Sequence, residues 1–410
     1  QLRIVCVFMA VLLLFLAGCS KTGQGDDPGK EPGQSNTGED KTGDDKTGGD
    51  KTGDDKTGED KTGDDKTGDD QTGTDNPGED NPGTGDTVFM RGEYSDKVLD
   101  RSLVEGKFAV YFLGSDVMYT SYSYTQRGGD SVLLIAPDGT TMLYDCGKPV
   151  SAAYVVYALQ KLGVKKIDYF VNSHPHVDHC GGFTLVARHF DIGQVYLPCA
   201  VDAYENPESQ GGSVMAMMDT IKERNIPYSY LAEGDSFQFG PDISVKVYNP
   251  PSDMDFGNIN ANEWSLALKL VYKNASVLLA GDCGNNEAKM GRASESVLVA
   301  KYGSELESDV SKCNHHGDGN VNGNTKAGSK EWVNTVNSKI YVAQNDQFTD
   351  EKNFFTHTAS GASVFHNGLD GTVLVYTAGD GTYEVQVEAE RSNADYFGST
   401  GTTDGHKTVK

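Results

Sequence analysis

One stretch of this chain has nothing to fold with, and it decides how the rest must be read. Lys41 to Asp70 is six tandem pentapeptides of the form Lys-Thr-Gly-Asp-Asp, with small variations. A period of five without an apolar residue presents no face to bury, so it builds no solenoid. Its flanks are of the same kind, and residues 20–86 together hold eight Lys against twenty Asp and Glu. Nothing there offsets the entropy of ordering a backbone, so 20–86 is expected to be a disordered acidic linker. At ~5–6 Å × √n its typical reach is roughly 45 Å. Calcium binding by the paired Asp is the competing reading. The repeats, however, lack a twelve-residue calcium loop, and each carries a Lys.

The linker follows an address. Arg3 precedes the apolar run Ile4–Leu16, which ends in Leu16-Ala17-Gly18-Cys19. This is the form of a secretory signal over residues 1–19 and is short for a bilayer span. The Leu-Ala-Gly-Cys ending resembles a bacterial lipobox. That resemblance implies lipidation of Cys19, export, and an extracytoplasmic, membrane-anchored lipoprotein. An ordinary cleaved signal or a retained short anchor is the alternative. No later segment reaches transmembrane length.

Of the formal net charge of −25, the linker holds −12 and Arg3 +1, which leaves −14 for residues 87–410. An acidic domain argues against non-specific nucleic-acid binding, which draws on a basic surface. Nucleic acid is therefore not favoured as a partner, although a local basic groove remains compatible with this balance.

The remaining chain, a domain over 87–390 and a polar tail over 391–410, alternates strand and helix patterns. Strands are expected at 131–136 and 141–145 across a Pro137-Asp138-Gly139 turn, and at 167–173, 237–248, 265–272, 276–280, 309–312 and 340–343. A closing hairpin is expected over 372–376 and 383–387. Helices are expected over 150–162, 213–224, within 286–302, and over 329–336. Hairpins among the strands point to α+β architecture with mixed sheets and covering helices, rather than to a doubly wound parallel sheet.

The chemistry gathers at strand ends. His174-Pro175-His176-Val177-Asp178-His179 directly follows the 167–173 strand. Three imidazoles and a carboxylate in six residues suit zinc first, then manganese or iron, better than calcium or magnesium. A loop leaving a strand can turn His174 and His176 one way and Asp178 and His179 another, so one segment could serve two metals. Val277 to Asp282 is an apolar strand ending in a carboxylate. Residues 309–312 lead into Cys313-Asn314-His315-His316-Gly317. A distant carboxylate and a distant His are what a second ion needs.

This pattern resembles the metallo-β-lactamase fold superfamily, and within it the hydrolase domain of ComEC-type competence proteins in a stand-alone, lipoprotein form. The matching stretches are Gly129 to Ile135, Pro137-Asp138-Gly139, Leu143 to Gly147, Leu162-Gly163 before Ile167-Asp168-Tyr169, and the His cluster with Gly181-Gly182. They continue with Asn262 to Leu268, Gly281-Asp282, His315-His316-Gly317 and Gly371-Thr372-Val373. The resemblance implies a four-layer αββα sandwich with two divalent ions, zinc foremost, at one edge. It implies that His174 and His176 hold the first metal, Asp178 and His179 the second, and that Asp282 bridges. One of His315 and His316 completes the second metal; the sequence does not say which. Asp145 and Asp130 match positions that support this loop from behind.

The sequence departs from the pattern in two places. Where many members carry a further His before the bridging Asp, this chain reads Asn260-Ala261-Asn262-Glu263-Trp264-Ser265, and Asn262 or Glu263 could stand in. His189 is the only His between the cluster and Asp282, and a helix is expected to carry it away. Asp318 follows His-His-Gly where relatives have Ser. Four of the five domain cysteines, Cys146, Cys180, Cys283 and Cys313, adjoin these motifs, whereas Cys199 does not. Buried apolar filling, a disulfide, or a thiolate ligand are the three readings.

Two metals with an open edge can acidify a water and present the resulting hydroxide to phosphorus or carbonyl carbon. Asp178, His315 and His316 are the candidate catalytic groups, with the non-ligating His of the pair able to protonate a leaving group. The reading is a metal-dependent hydrolase acting on a phosphoester, either a small molecule, a phosphorylated envelope polymer or nucleic acid. Hydrolysis of a lactone, thioester or amide on the same site is the alternative, as is a non-catalytic surface binding protein on this scaffold.

Overall fold

The computed structural model describes residues 96–114, 129–317, 327–344 and 360–388. The signal with Cys19, the 20–86 linker, the 391–410 tail and Asp318 lie outside them.

Apolar runs such as Phe108–Phe112 and Val132–Ile135 are buried at every position, without alternation. A strand can be apolar throughout only when both faces of its sheet are covered, and that is the arrangement found. The first sheet runs, in spatial order, β15 (Glu384–Val387), β14 (Val373–Thr377), β1 (Phe108–Phe112), β2 (Val132–Ile135), β3 (Thr141–Tyr144), β4 (Lys166–Val171), β5 (Asp191–Pro198) and β6 (Tyr228–Leu231). It is antiparallel from β15 to β3 and parallel from β3 to β6. The second sheet runs β13 (Ser363–His366), β12 (Ile340–Ala343), β11 (Val310–Lys312), β10 (Ala275–Leu279), β9 (Ala267–Tyr272), β8 (Ile243–Asn249) and β7 (Ser236–Phe239). It is parallel from β13 to β10 and antiparallel from β10 to β7.

Three apolar layers hold four structural layers together. On β1, Phe108, Val110 and Phe112 face the second sheet and meet Phe239, Val245, Leu268 and Tyr272 in the inter-sheet core. The alternate residues Ala109 and Tyr111 face outward. There they pack with α1 (Ala152–Lys161), α3 (Phe183–His189), α4 (Val201–Glu205) and α5 (Gly212–Glu223). Behind the second sheet, Leu278, Tyr341 and Val364 pack against α7 (Ser294–Tyr302) and α8 (Lys330–Val336). This is the expected αββα sandwich with two mixed sheets.

Local signals account for most boundaries. Asp138 accepts from the Thr140 amide (3.0 Å) and hydroxyl (2.9 Å), which closes the β2–β3 turn. α1 stops where Gly163 takes φ 68°. The single strand expected at 237–248 is instead a hairpin of β7 and β8, because Gly240 (φ 64°) and Pro241 interrupt the ladder. The helix expected within 286–302 is two pieces, α6 (Glu287–Met290) and α7. Strands β1, β5, β6 and β13 were not among the expected ones.

Candidate metal centre

The sandwich brings several loops to one edge. His174, Pro175 and His176 leave the end of β4, and α2 (Val177–Cys180) carries Asp178 and His179. Asp145 follows β3, Asp282 follows β10, and His315 and His316 follow β11. Asp130 precedes β2, whose start lies beside the end of β3 through the Val132–Tyr144 pairing.

Close backbone approach shapes these loops. At Gly281 (φ 53°) a Cβ would sit 2.7 Å from Ser265 Oγ and 2.9 Å from Ser173 Cβ. At Gly129 (φ 107°) it would sit 2.2 Å from the Asp178 carbonyl oxygen. His315 (φ 46°), His316 (φ 59°) and Asp145 (φ 59°) also occupy the left-handed region. Such strain in a non-glycine residue costs of order 1–3 kcal/mol and gathers at functional sites.

Asp145 organises the His loop from beneath. Its carboxylate accepts from the Ser173 amide (2.7 Å), the Ser173 hydroxyl (2.6 Å), Asn172 Nδ2 (3.2 Å) and His179 Nδ1 (2.9 Å). Tyr204 steadies Asn172 by donating to its Oδ1 at 2.9 Å. With Nδ1 held by Asp145, the Nε2 of His179 faces the centre of the site.

That centre is Asp282. Four imidazole nitrogens surround one of its oxygens, Oδ2: His179 Nε2 at 3.2 Å, His316 Nε2 at 3.4 Å, His315 Nε2 at 3.7 Å and His174 Nε2 at 3.8 Å. His176 Nδ1 lies 3.0 Å from His174 Nε2. Asp178 reaches His316 Nε2 (3.4 Å) and His179 Nε2 (3.8 Å). His174, His176, Asp178, His179, Asp282, His315 and His316 are therefore brought to one place, with Asp145 beneath them. Asp130, expected behind the site, is part of it. It holds His316 Nδ1 at 2.8 Å, and the ligand atoms of Asp130, His179, Asp282 and His316 all lie within 4.8 Å of one another.

Of the two stand-ins for the absent His, Asn262 is at the site, with Nδ2 3.4 Å from His315 Nε2. Glu263 instead accepts from the Ser294 amide (2.8 Å) at the start of α7. His189 is carried off, exposed, at the end of α3. The five described cysteines are free of disulfides, and burial pushes the thiols of Cys146, Cys180, Cys283 and Cys313 up, the last to about 12. Neutral, buried thiols fit apolar filling.

One residue was missed altogether. Lys312, fully buried in β11, pairs with Asp130 and lies 3.8 Å from Asp282 Oδ1. It also donates to the carbonyls of Gly281 (3.0 Å) and Cys313 (3.0 Å). A Lys ending the short strand Val310-Ser311-Lys312, three residues before His315, was the available signal.

The charges explain why a cation suits this pocket. Burial opposes ionisation of Asp130, Asp178 and Asp282. Even so, Lys312, His316, His179 and His315 hold these carboxyls below the usual range. Conversely, against burial, Asp282 with Asp145 or Asp130 holds His179 and His316 well above the usual imidazole range. Burial, followed by the neighbouring imidazoles, keeps His174 well below it. The cluster thus combines carboxylates whose charged form Lys312 and the imidazoles favour with two imidazoles, His179 and His316, whose protonated form those carboxylates favour. Two imidazoles and two carboxylates within 4.8 Å are a donor set that a divalent transition ion fits.

The chain is similar to several known proteins. Residues 124–292 match the Metallo-beta-lactamase superfamily. A curated relative, "Competence protein ComA" of Neisseria gonorrhoeae, is 26% identical over 212 residues, which are 52% of this chain and 25% of that protein. The chain therefore spans about a quarter of that relative's length. Among solved structures, the metallo-beta-lactamase fold protein YhfI from Bacillus subtilis is 12% identical with a TM-score of 0.41, over 66% of this chain and all of that one. A metallo-beta-lactamase from Cronobacter sakazakii is 16% identical with a TM-score of 0.32, over 45% of this chain and 70% of the other.

Proposed function

Because this chain carries a metallo-beta-lactamase superfamily domain, we propose that it is a metal-dependent hydrolase, exported and lipid-anchored through Cys19, that cleaves a phosphoester. The observation that carries the reading is the convergence of four imidazole nitrogens on Asp282 Oδ2. If divalent ions were bound here, the imidazoles and carboxylates around Asp282 would form two groups able to hold them. His174, His176 and His315 supply one group. Asp178, His179 and His316, with Asp130, supply the other. His315 then serves where the further His of the family pattern is absent, and His316 completes the second group. Zinc, or else manganese or iron, suits these donors.

When bound, such ions polarise a phosphoryl or carbonyl oxygen and acidify a water. The chain's own residues do the rest. Asp145 fixes the His179 ring so that Nε2 points at the site. Lys312 holds Asp130 and lies beside Asp282 from the buried side, and so limits repulsion among the carboxylates. His315 and His316 keep some exposure, 18% and 15% of their side chains, which leaves one edge of each open to a substrate.

The test is turnover by purified, zinc-loaded full-length protein. Chromogenic phosphodiester, phosphomonoester, lactone and β-lactam substrates would each be compared with His176→Ala. Diester cleavage lost on substitution supports the reading. Lactone cleavage alone would move the activity to a carbonyl centre, and metal content without any turnover would contradict catalysis.

A further inference from the structure

Beside His176 the protein opens a cleft of about 990 Å³. One wall is α4 and the turn after it, through residue 210. The other is the loop from Ser252 through the turn ending at Trp264. Met254, Phe256, Ile259 and Trp264 give the second wall an apolar surface, and Phe256 meets Trp264 edge to face with centroids 5.7 Å apart. On the first wall Val201 is 42% exposed, a bare apolar side chain at the mouth. Among the described residues lining the cleft there is no Lys and no Arg, and Asp202 is the one carboxylate. Arg292 reaches the Met254 sulfur at 3.8 Å but is not part of the lining.

A groove that tracks nucleic acid or another polyanion needs cations along its path. This groove has none among its described residues, and the domain around it is acidic. A wall of Met254, Phe256, Ile259 and Trp264 facing the uncharged polar side chains of Asn206, Ser209 and Gln210 instead suits an uncharged organic group, whose apolar part gains from being taken out of water and from contact with the aromatic wall. His176 lines the cleft and also stands at the candidate metal centre, 3.0 Å from His174 Nε2, so a group in the cleft lies beside that centre.

We propose that the cleft binds a neutral, largely apolar group of the substrate, so that the substrate is a small phosphoester with an aryl-like or acyl-like substituent rather than a polynucleotide or polyphosphate chain. This rests on the hydrolase reading above for its phosphoester, but its test does not need turnover. Zinc-loaded full-length protein is titrated calorimetrically with phenylphosphonate, methylphosphonate and a short thymidine oligonucleotide at physiological salt. The proposal expects phenylphosphonate to bind about tenfold or more tighter than methylphosphonate, the worth of one aromatic contact. Phe256→Ala should remove that margin without changing methylphosphonate affinity. Asp202→Lys, which puts a cation into the lining opposite the aromatic wall, should raise oligonucleotide affinity. Equal affinity for the two phosphonates, no binding of either, or tighter binding of the oligonucleotide by the unsubstituted protein would overturn the proposal. Failure of the hydrolase reading looks different: no ester is cleaved while the phenyl margin persists.

Discussion

Asp145→Asn isolates the device that aims His179. The carboxylate receives four hydrogen bonds. Asn172 Nδ2 and the Ser173 amide donate to Oδ1, whereas the Ser173 hydroxyl and His179 Nδ1 approach Oδ2. Asparagine keeps one accepting oxygen. If it occupies the Oδ1 position, the contacts from the Ser173 backbone amide and Asn172 Nδ2 survive, and the new amide NH2 faces Ser173 and His179. The Ser173 hydroxyl can rotate to accept. His179 can accept only by giving up its Nδ1 proton, which moves the proton to Nε2, the atom 3.2 Å from Asp282. An Nε2–H nitrogen has no lone pair for a metal. Losing such an orienting partner typically weakens metal binding about 10–100-fold, or roughly 1.4–2.7 kcal/mol. Folding should lose about 1.5–3 kcal/mol, the worth of one hydrogen bond to a charged group. Zinc affinity is read by competition with a chromogenic chelator, and the His179 tautomer by nitrogen-15 NMR of labelled imidazoles. Unchanged zinc affinity with the proton still on Nδ1 would refute the argument.

Other consequences are direct. Gly281→Ala places a methyl 2.7 Å from Ser265 Oγ, the atom that accepts the Asp282 amide at 2.9 Å. Left-handed strain and overpacking together should cost about 2–5 kcal/mol in urea denaturation, and a loss under ~0.5 kcal/mol would contradict the close approach. Burial pushes Glu263 up to about 7 from 4.5, against the Ser294 hydrogen bond. A carboxyl raised on folding favours the folded state while protonated, so its contribution falls as pH rises from about 4.5 to about 7, by up to roughly 3 kcal/mol. Glu263→Gln should therefore gain on the unsubstituted protein in melting temperature between pH 5 and pH 8; a pH-independent difference would disprove this. Removing metal with a chelator should lower folding stability by roughly 4 kcal/mol relative to protein at a thousandfold excess of zinc over its Kd. Calorimetric scans with equal melting temperatures would show that no ion is linked to folding.

The sequence was most legible where one local rule dominates. Val132–Ile135 and Thr141–Tyr144 announce themselves by apolar runs around Pro137-Asp138-Gly139, and α1 by its periodicity and Gly163. β5 was obscured because Gly193 and Pro198 break its pattern, and β6 because Tyr228-Ser229-Tyr230 reads as a polar edge. The 237–248 run concealed a reversal at Gly240-Pro241. The site follows the same logic. The His174–His179 segment and Asp282 stand out because charged donors end apolar strands. The closeness of Asp130 to His316 was not legible, because it depends on β2 starting beside the end of β3. Lys312 escaped because a buried lysine is intelligible only once Asp130 and Asp282 are seen around it. Asn262 and Glu263 were equal candidates in the sequence, and only the backbone of the 261–264 turn separates them.

The claim on which the rest depends is that these donors hold metal. The direct measurement is elemental analysis of full-length protein, purified without chelator and dialysed against metal-free buffer, beside Asp282→Ala and His316→Ala. About one to two equivalents of zinc, manganese or iron per chain, falling to near zero in Asp282→Ala and lowered in His316→Ala, is the expected result. Folded protein that retains none of these ions after zinc is supplied, or an Asp282→Ala protein that retains as much as the unsubstituted chain, would contradict it.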